Sequence, residues 1–108
     1  MPVYYVFTQT GKDKREDVAK KIGDISAEGV KVLESKPIDG VYDLVPGGLR
    51  LQYPIYTTAA KIAMRHDVKV SELRTLLRKM GVTDPLILVE YEEIIPLSHV
   101  GAGARSYE

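Results

Sequence analysis

The chain has 108 residues, no cysteine, and 15 basic against 15 acidic side chains. This length fits one domain. The lack of cysteine excludes disulfides, thiolate nucleophiles and Cys-ligated zinc or iron–sulfur centres. No apolar run reaches membrane-spanning length and no signal-peptide pattern opens the chain, so we expect a cytoplasmic protein without a membrane partner. Asn and Trp are absent and there are two Gln, a composition that suggests a thermophilic source.

The first half of the chain predicts a strand, a helix and a second strand. Residues 3–8 are rich in β-branched and aromatic side chains, which favours a strand. Apolar residues then recur at helical spacing, and we expect an amphipathic helix over residues 13–27. Residues 30–33 alternate weakly between apolar and polar, which indicates a short strand.

The middle of the chain predicts a β-hairpin. Apolar and polar residues alternate on both sides of Pro46-Gly47-Gly48. A Pro-Gly turn between two alternating runs is typical of strands joined by a tight turn. We therefore expect antiparallel strands on either side of this turn, with the second reaching Ile55.

The second half predicts two helices and a final strand. We expect one helix over residues 58–66 and another over residues 71–80, each beginning at a Thr or Ser that can cap its first turn. The second has its leucines on one face. Residues 86–95 begin as a continuous apolar run, which favours a strand at the centre of the sheet.

These elements together predict the α+β fold class. We expect a single domain over residues 1–96, a mixed β-sheet covered by helices, with the element order β-α-β-β-β-α-α-β. Residues 97–108 are rich in Gly, Ala and Ser, which predicts a mobile C-terminal tail.

Residues 59–78 resemble a helix-turn-helix unit, and the predicted helix pair at 58–80 contains them. Ile62 and Ala63 supply the apolar and small residues that let the two helices cross closely, and Val68 supplies the apolar plug after the turn. The resemblance implies that the outer face of the second helix enters the major groove of DNA. An ordinary pair of helices covering a sheet is the alternative reading of the same residues.

The resemblance implies a nucleic-acid contact on the polar face of the second helix. Residues 50–81 hold seven basic and two acidic side chains, whereas residues 82–108 hold five acidic and one basic. Cations and hydroxyl groups are the side chains that bind phosphates and base edges. The candidate nucleic-acid-binding residues are Lys69, Ser71, Arg74, Thr75, Arg78 and Lys79.

Two further sites are weaker candidates. Thr10, Gly11 and Lys12 join the first strand to the first helix, where backbone amides and the helix dipole favour an anion. Glu90 and Glu92 share one strand face but lack a third converging ligand, so we expect neither a metal site nor a catalytic site.

We therefore expect a small binding protein without a cofactor rather than an enzyme, with nucleic acid as its partner. A protein-interaction module that forms a homodimer through tyrosine-bearing strands is the alternative. An anion or small-ligand binder at the first strand–helix loop is the second alternative.

Overall fold

The computed structural model describes residues 2–44 and 50–90. Three predicted features lie outside the described residues: the Pro46–Gly48 turn, the second half of the final strand, and the C-terminal tail. In the part of the chain that is described, no helix is long and apolar enough to cross a membrane.

The described residues form six β-strands, two α-helices and one 3₁₀ turn. In chain order these are β1 Val3–Thr8, the 3₁₀ turn Lys12–Lys14, α1 Arg15–Gly23, β2 Val30–Pro37, β3 Val41–Asp43, β4 Arg50–Gln52, β5 Thr58–Met64, α2 Val70–Lys79 and β6 Leu86–Val89.

Four of the strands form one antiparallel sheet in the order β2-β5-β1-β6, and β3 pairs with β4 in a separate antiparallel ribbon. Helix α1 connects β1 to β2 across β5, and α2 connects β5 to β6 across β1. Each β-α-β unit is therefore split by a strand of the other, as in ferredoxin-like sheets. This arrangement confirms a small α+β domain.

The two faces of the sheet are covered differently, because side chains alternate across each strand. We call the face under α1 and α2 the helix side and the face under the β3–β4 ribbon the hairpin side. The helix-side core contains Val6, Ile22, Ala60, Ile62, Met64, Leu73, Leu77 and Val82. The hairpin-side core contains Tyr5, Phe7, Ile38, Tyr42, Leu51 and Ala59.

The prediction of a helix over residues 58–66 is wrong, because residues 58–64 form strand β5. This strand lies between β1 and β2 and pairs with both. Its alanines favour a helix, but sheet pairing on both edges outweighs their helix propensity. Ala59 and Ala60 pair with Phe7 and Val6, so small residues leave room for larger neighbours. The observed order therefore has β5 in place of the first helix of the predicted pair, and the helix-turn-helix unit is absent.

The bounds of the two helices differ less from the predicted ones. Helix α1 ends at Gly23, earlier than predicted, where the backbone N–H of Asp24 donates to the Lys20 carbonyl and that of Ile25 donates to the Ile22 carbonyl. Helix α2 begins at Val70 rather than after a Ser71 cap, and the Glu72 carboxylate accepts the backbone N–H of Lys69 at 2.7 Å.

Strand β6 is not central. Among the described residues it pairs with β1 alone and lies at the edge of the sheet, while β5 and β1 are the inner strands. The antiparallel pairing predicted on either side of the turn is confirmed for β3 and β4, but β4 stops at Gln52. The alternation of apolar and polar residues continues through Tyr53 and Ile55 in the sequence, yet these two residues lie in the loop before β5.

Candidate functional site

The outer face of α2 carries the residues predicted to bind nucleic acid. Leu73 and Leu77 are fully buried against the sheet, which turns the opposite face of the helix to solvent. All six candidates are exposed: Lys69, Ser71, Arg74, Thr75, Arg78 and Lys79. We call this set the α2 surface.

The four cations of the α2 surface have no carboxylate within 4.0 Å in the described part of the chain. Arg74 makes one long hydrogen bond, from Nη1 to the carbonyl of Pro85 at 3.4 Å. The Thr75 hydroxyl donates to the Ser71 carbonyl at 3.0 Å. Glu72 is turned toward the helix start by its bond to Lys69 N–H, so the positive charge of this face is not neutralised locally.

The other cations of residues 50–81 are placed elsewhere. Arg65 pairs with Asp67 at 2.7 Å and with Glu28 at 3.4 Å, and its guanidinium lowers the pKa of the Asp67 carboxyl. Arg50 pairs with Asp43 on the β3–β4 ribbon. The local excess of positive charge in the sequence is therefore split, and the α2 surface holds the part without acidic neighbours.

The three residues of the predicted anion-binding loop, Thr10, Gly11 and Lys12, lie in the described part of the chain. The Thr10 hydroxyl lies 2.9 Å from the Thr57 hydroxyl, and Thr57 Oγ1 donates to the Thr10 carbonyl at 2.8 Å. A Cβ added at Gly11 would lie 2.7 Å from Asp13 Oδ1, so a carboxylate already borders the start of the 3₁₀ turn. Lys12 is exposed.

The sequence did not indicate the cleft on the hairpin side of the sheet. Its volume is about 350 Å³. We call it the tyrosine cleft, and six of its lining residues are Tyr5, Leu33, Glu34, Tyr42, Leu44 and Lys61. The Asp43 carboxylate also borders it and is paired with Arg50.

Both tyrosines of this cleft are hydrogen-bonded to glutamates. Tyr42 OH donates to Glu34 Oε1 at 2.6 Å, and Tyr5 OH lies 2.9 Å from Glu90 Oε2 and 3.1 Å from the Leu44 carbonyl. Burial, followed by the bond to Glu90, raises the pKa of Tyr5 to about 12. Burial and the Glu34 carboxylate likewise raise the pKa of Tyr42. Both phenols are therefore neutral donors at physiological pH.

Two lysines of the protein lie over these rings. Lys61 Nζ is 5.8 Å from the Tyr5 ring centroid, and Lys36 Nζ is 5.1 Å from the Tyr42 centroid. Each ammonium is 3.8 Å from a glutamate oxygen, Lys61 from Glu90 and Lys36 from Glu34. These distances exceed a direct hydrogen bond, so both ion pairs are loose.

The tyrosines of β1, a tyrosine-bearing strand of the alternative homodimer prediction, are mostly covered. Tyr4 packs on the helix side and Tyr5 on the hairpin side, so both sheet faces are occupied as β1 alternates. Tyr53 is 58% exposed, in the bend before β5. No group of three or more His, Cys, Asp or Glu side chains among residues 2–44 and 50–90 is placed to hold a metal ion.

The described residues define a small α+β domain with a basic helix face and an aromatic cleft. No family model, curated protein or solved structure matches the chain.

Proposed function

We propose that this protein binds nucleic acid through the α2 surface, mainly by contacts to phosphates. The observation that supports it is the set of four exposed cations on one side of α2, without a carboxylate within 4.0 Å in the described residues. Phosphate contacts from Arg and Lys dominate the affinity of such complexes and carry no sequence information by themselves.

The absence of a helix-turn-helix unit changes the expected mode of binding. Helix α2 lies in a layer with α1 on the sheet instead of projecting from a second crossing helix. The Thr75 hydroxyl is used within the helix, which leaves it poorly placed to read a base edge. We therefore expect binding that depends strongly on salt and weakly on sequence.

Fluorescence anisotropy of labelled duplex DNA and single-stranded RNA, titrated with protein at several salt concentrations, tests this proposal. Three to four phosphate contacts give a slope of log affinity against log salt of about −3 on duplex DNA. Replacing Arg74 and Arg78 together with Ala should weaken binding at low salt about tenfold or more and reduce the steepness of that slope by about two.

The matched control removes the same formal charge from the hairpin side. Lys31 and Arg50 are both exposed and lie away from α2, so the Lys31→Ala/Arg50→Ala variant should bind as the native chain does. Equal losses in the two variants would indicate non-specific attraction to total charge. No binding at low salt, or full binding by the Arg74/Arg78 variant, would overturn the proposal.

Self-association is the second candidate, and the apolar side chains beside the β3–β4 ribbon favour it. Val41 is 44%, Tyr53 58% and Ile55 51% exposed, and Tyr53 N–H donates to the Gly40 carbonyl next to Val41. An exposed apolar patch of this kind suits a second copy of the same patch. Light scattering over a concentration series should then give a dimer mass that Tyr53→Ser and Ile55→Ser abolish.

A further inference from the structure

The tyrosine cleft is a concave feature of the described residues that the proposed function does not use. Its volume of about 350 Å³ lies at the lower end of small-molecule sites. Apolar walls from Leu33 and Leu44 meet convergent polar groups, which is the usual composition of such sites.

The polar groups that line this cleft have more free capacity to accept hydrogen bonds than to donate them. The phenol hydrogens of Tyr5 and Tyr42 are already directed to glutamate or carbonyl oxygens. The carboxylates of Glu34 and Asp43 border the space, and Lys61 is the one cation in the lining that the structure describes. A ligand that supplies donors and positive charge is therefore favoured over an anion.

The protein's own lysines show that this environment attracts ammonium groups. Lys61 and Lys36 bend over the two tyrosine rings although neither makes a direct hydrogen bond to its glutamate. An aromatic face beside a carboxylate is a favourable position for an organic cation. Lys61, at the cleft, would compete with such a ligand for the same charges.

We propose that the tyrosine cleft binds a small organic cation with an alkyl stem, an ammonium or guanidinium group. The head group would contact the Glu34 carboxylate and the face of a tyrosine ring, and the stem would pack on Leu33 and Leu44. This site is on the opposite side of the sheet from the α2 surface, so it is independent of nucleic-acid binding.

Titration with n-butylammonium, followed by NMR through the ring signals of Tyr5 and Tyr42 and the methyl signals of Leu33 and Leu44, tests the proposal. We expect saturable shifts with a millimolar dissociation constant. Glu34→Gln should weaken binding about fivefold, because it removes one exposed charge while its amide oxygen still accepts from Tyr42. Lys61→Met should tighten binding, because the competing cation is lost while the stem is kept.

Matched controls test whether binding depends on the charge of Glu34 and on the charge of the ligand. Glu28→Gln removes the same charge at an exposed position away from the cleft and should leave binding unchanged. n-Butyrate carries the same stem with the opposite charge and should not bind. Comparison of free n-butylammonium with a Gly-Gly-Lys-Gly-Gly peptide shows whether a free amine or a protein side chain fits better.

Two results would overturn the proposal. The first is no shift at these four residues with either cationic probe. The second is the reversed order of charges, in which Lys61→Met abolishes binding and n-butyrate binds more tightly than n-butylammonium.

Discussion

The two sides of the sheet are stabilised in different ways. On the helix side six large side chains are fully buried and the contacts are apolar: Val6, Ile22, Ile62, Met64, Leu73 and Leu77. On the hairpin side aromatic rings pack edge to face and are joined to glutamates through their hydroxyl groups. The helix side therefore carries most of the burial energy, and the hairpin side supplies the polar groups from which a ligand site can be built.

The largest expected effect is on the helix side. Leu73→Ala removes a fully buried side chain from the core and should lower the free energy of unfolding by about 2–5 kcal/mol. Leu51→Ala is the matched control on the hairpin side, where the leucine is 9% exposed in a two-stranded ribbon, and it should cost less. Urea unfolding at constant pH measures both. Equal losses would contradict the contrast between the two sides.

Alkaline pH should lower the free energy of unfolding by ionising the buried tyrosines of the hairpin side. Because the pKa of Tyr5 is raised to about 12 in the folded chain, above the ordinary value of 10.0, its contribution to stability is complete below about pH 10 and is lost as the pH rises toward 12. The raised pKa of Tyr42 adds a loss of the same sign. Unfolding by urea between about pH 8 and 11 should show this decline.

Phenylalanine variants identify the groups responsible for that decline. Tyr5→Phe/Tyr42→Phe should give a flatter profile, since neither ring can then ionise. Tyr53→Phe is the control, because its ring is 58% exposed and makes no comparable bond to a glutamate in the described residues. A profile that stays as steep in the double variant would assign the decline to other groups.

The sequence predicts elements whose stability is local and misses those that depend on distant residues. Helix α2 could be predicted because its leucines recur at helical spacing over ten residues. Strand β5 could not, because its alanines favour a helix and its strand state depends on β1 and β2 at both edges. The exposure of the α2 surface could be predicted, because it depends only on which residues of α2 lie opposite the buried leucines.

The tyrosine cleft could not be predicted for the same reason. Tyr5 and Glu90 are 85 residues apart, and Tyr42 and Glu34 lie on strands of different sheets. The available signal was the alternation in β1, which places Tyr5 and Phe7 on one face. Which glutamates meet that face depends on strand order, and the order of strands follows from the fold as a whole.

The smallest effect concerns a buried polar group on the helix side. Thr8 is fully buried, and its hydroxyl has no hydrogen-bond partner among the described residues. A buried donor without a partner costs stability, so Thr8→Val should raise the free energy of unfolding by about 1 kcal/mol. Urea unfolding at neutral pH measures the change, and a loss of stability would mean that the hydroxyl is bonded in solution.

Thr57→Val is the matched variant, and its change in the free energy of unfolding should have the opposite sign. It makes the same exchange of hydroxyl for methyl at a residue that is also buried, but the Thr57 hydroxyl bonds to the carbonyl and hydroxyl oxygens of Thr10 at 2.8 and 2.9 Å. Its loss leaves polar groups of the β1–α1 loop without a partner, so this variant should be destabilised by about 1 kcal/mol. Opposite signs in the two valine variants would attribute the difference to hydrogen bonding, because the change in side-chain shape is the same in both.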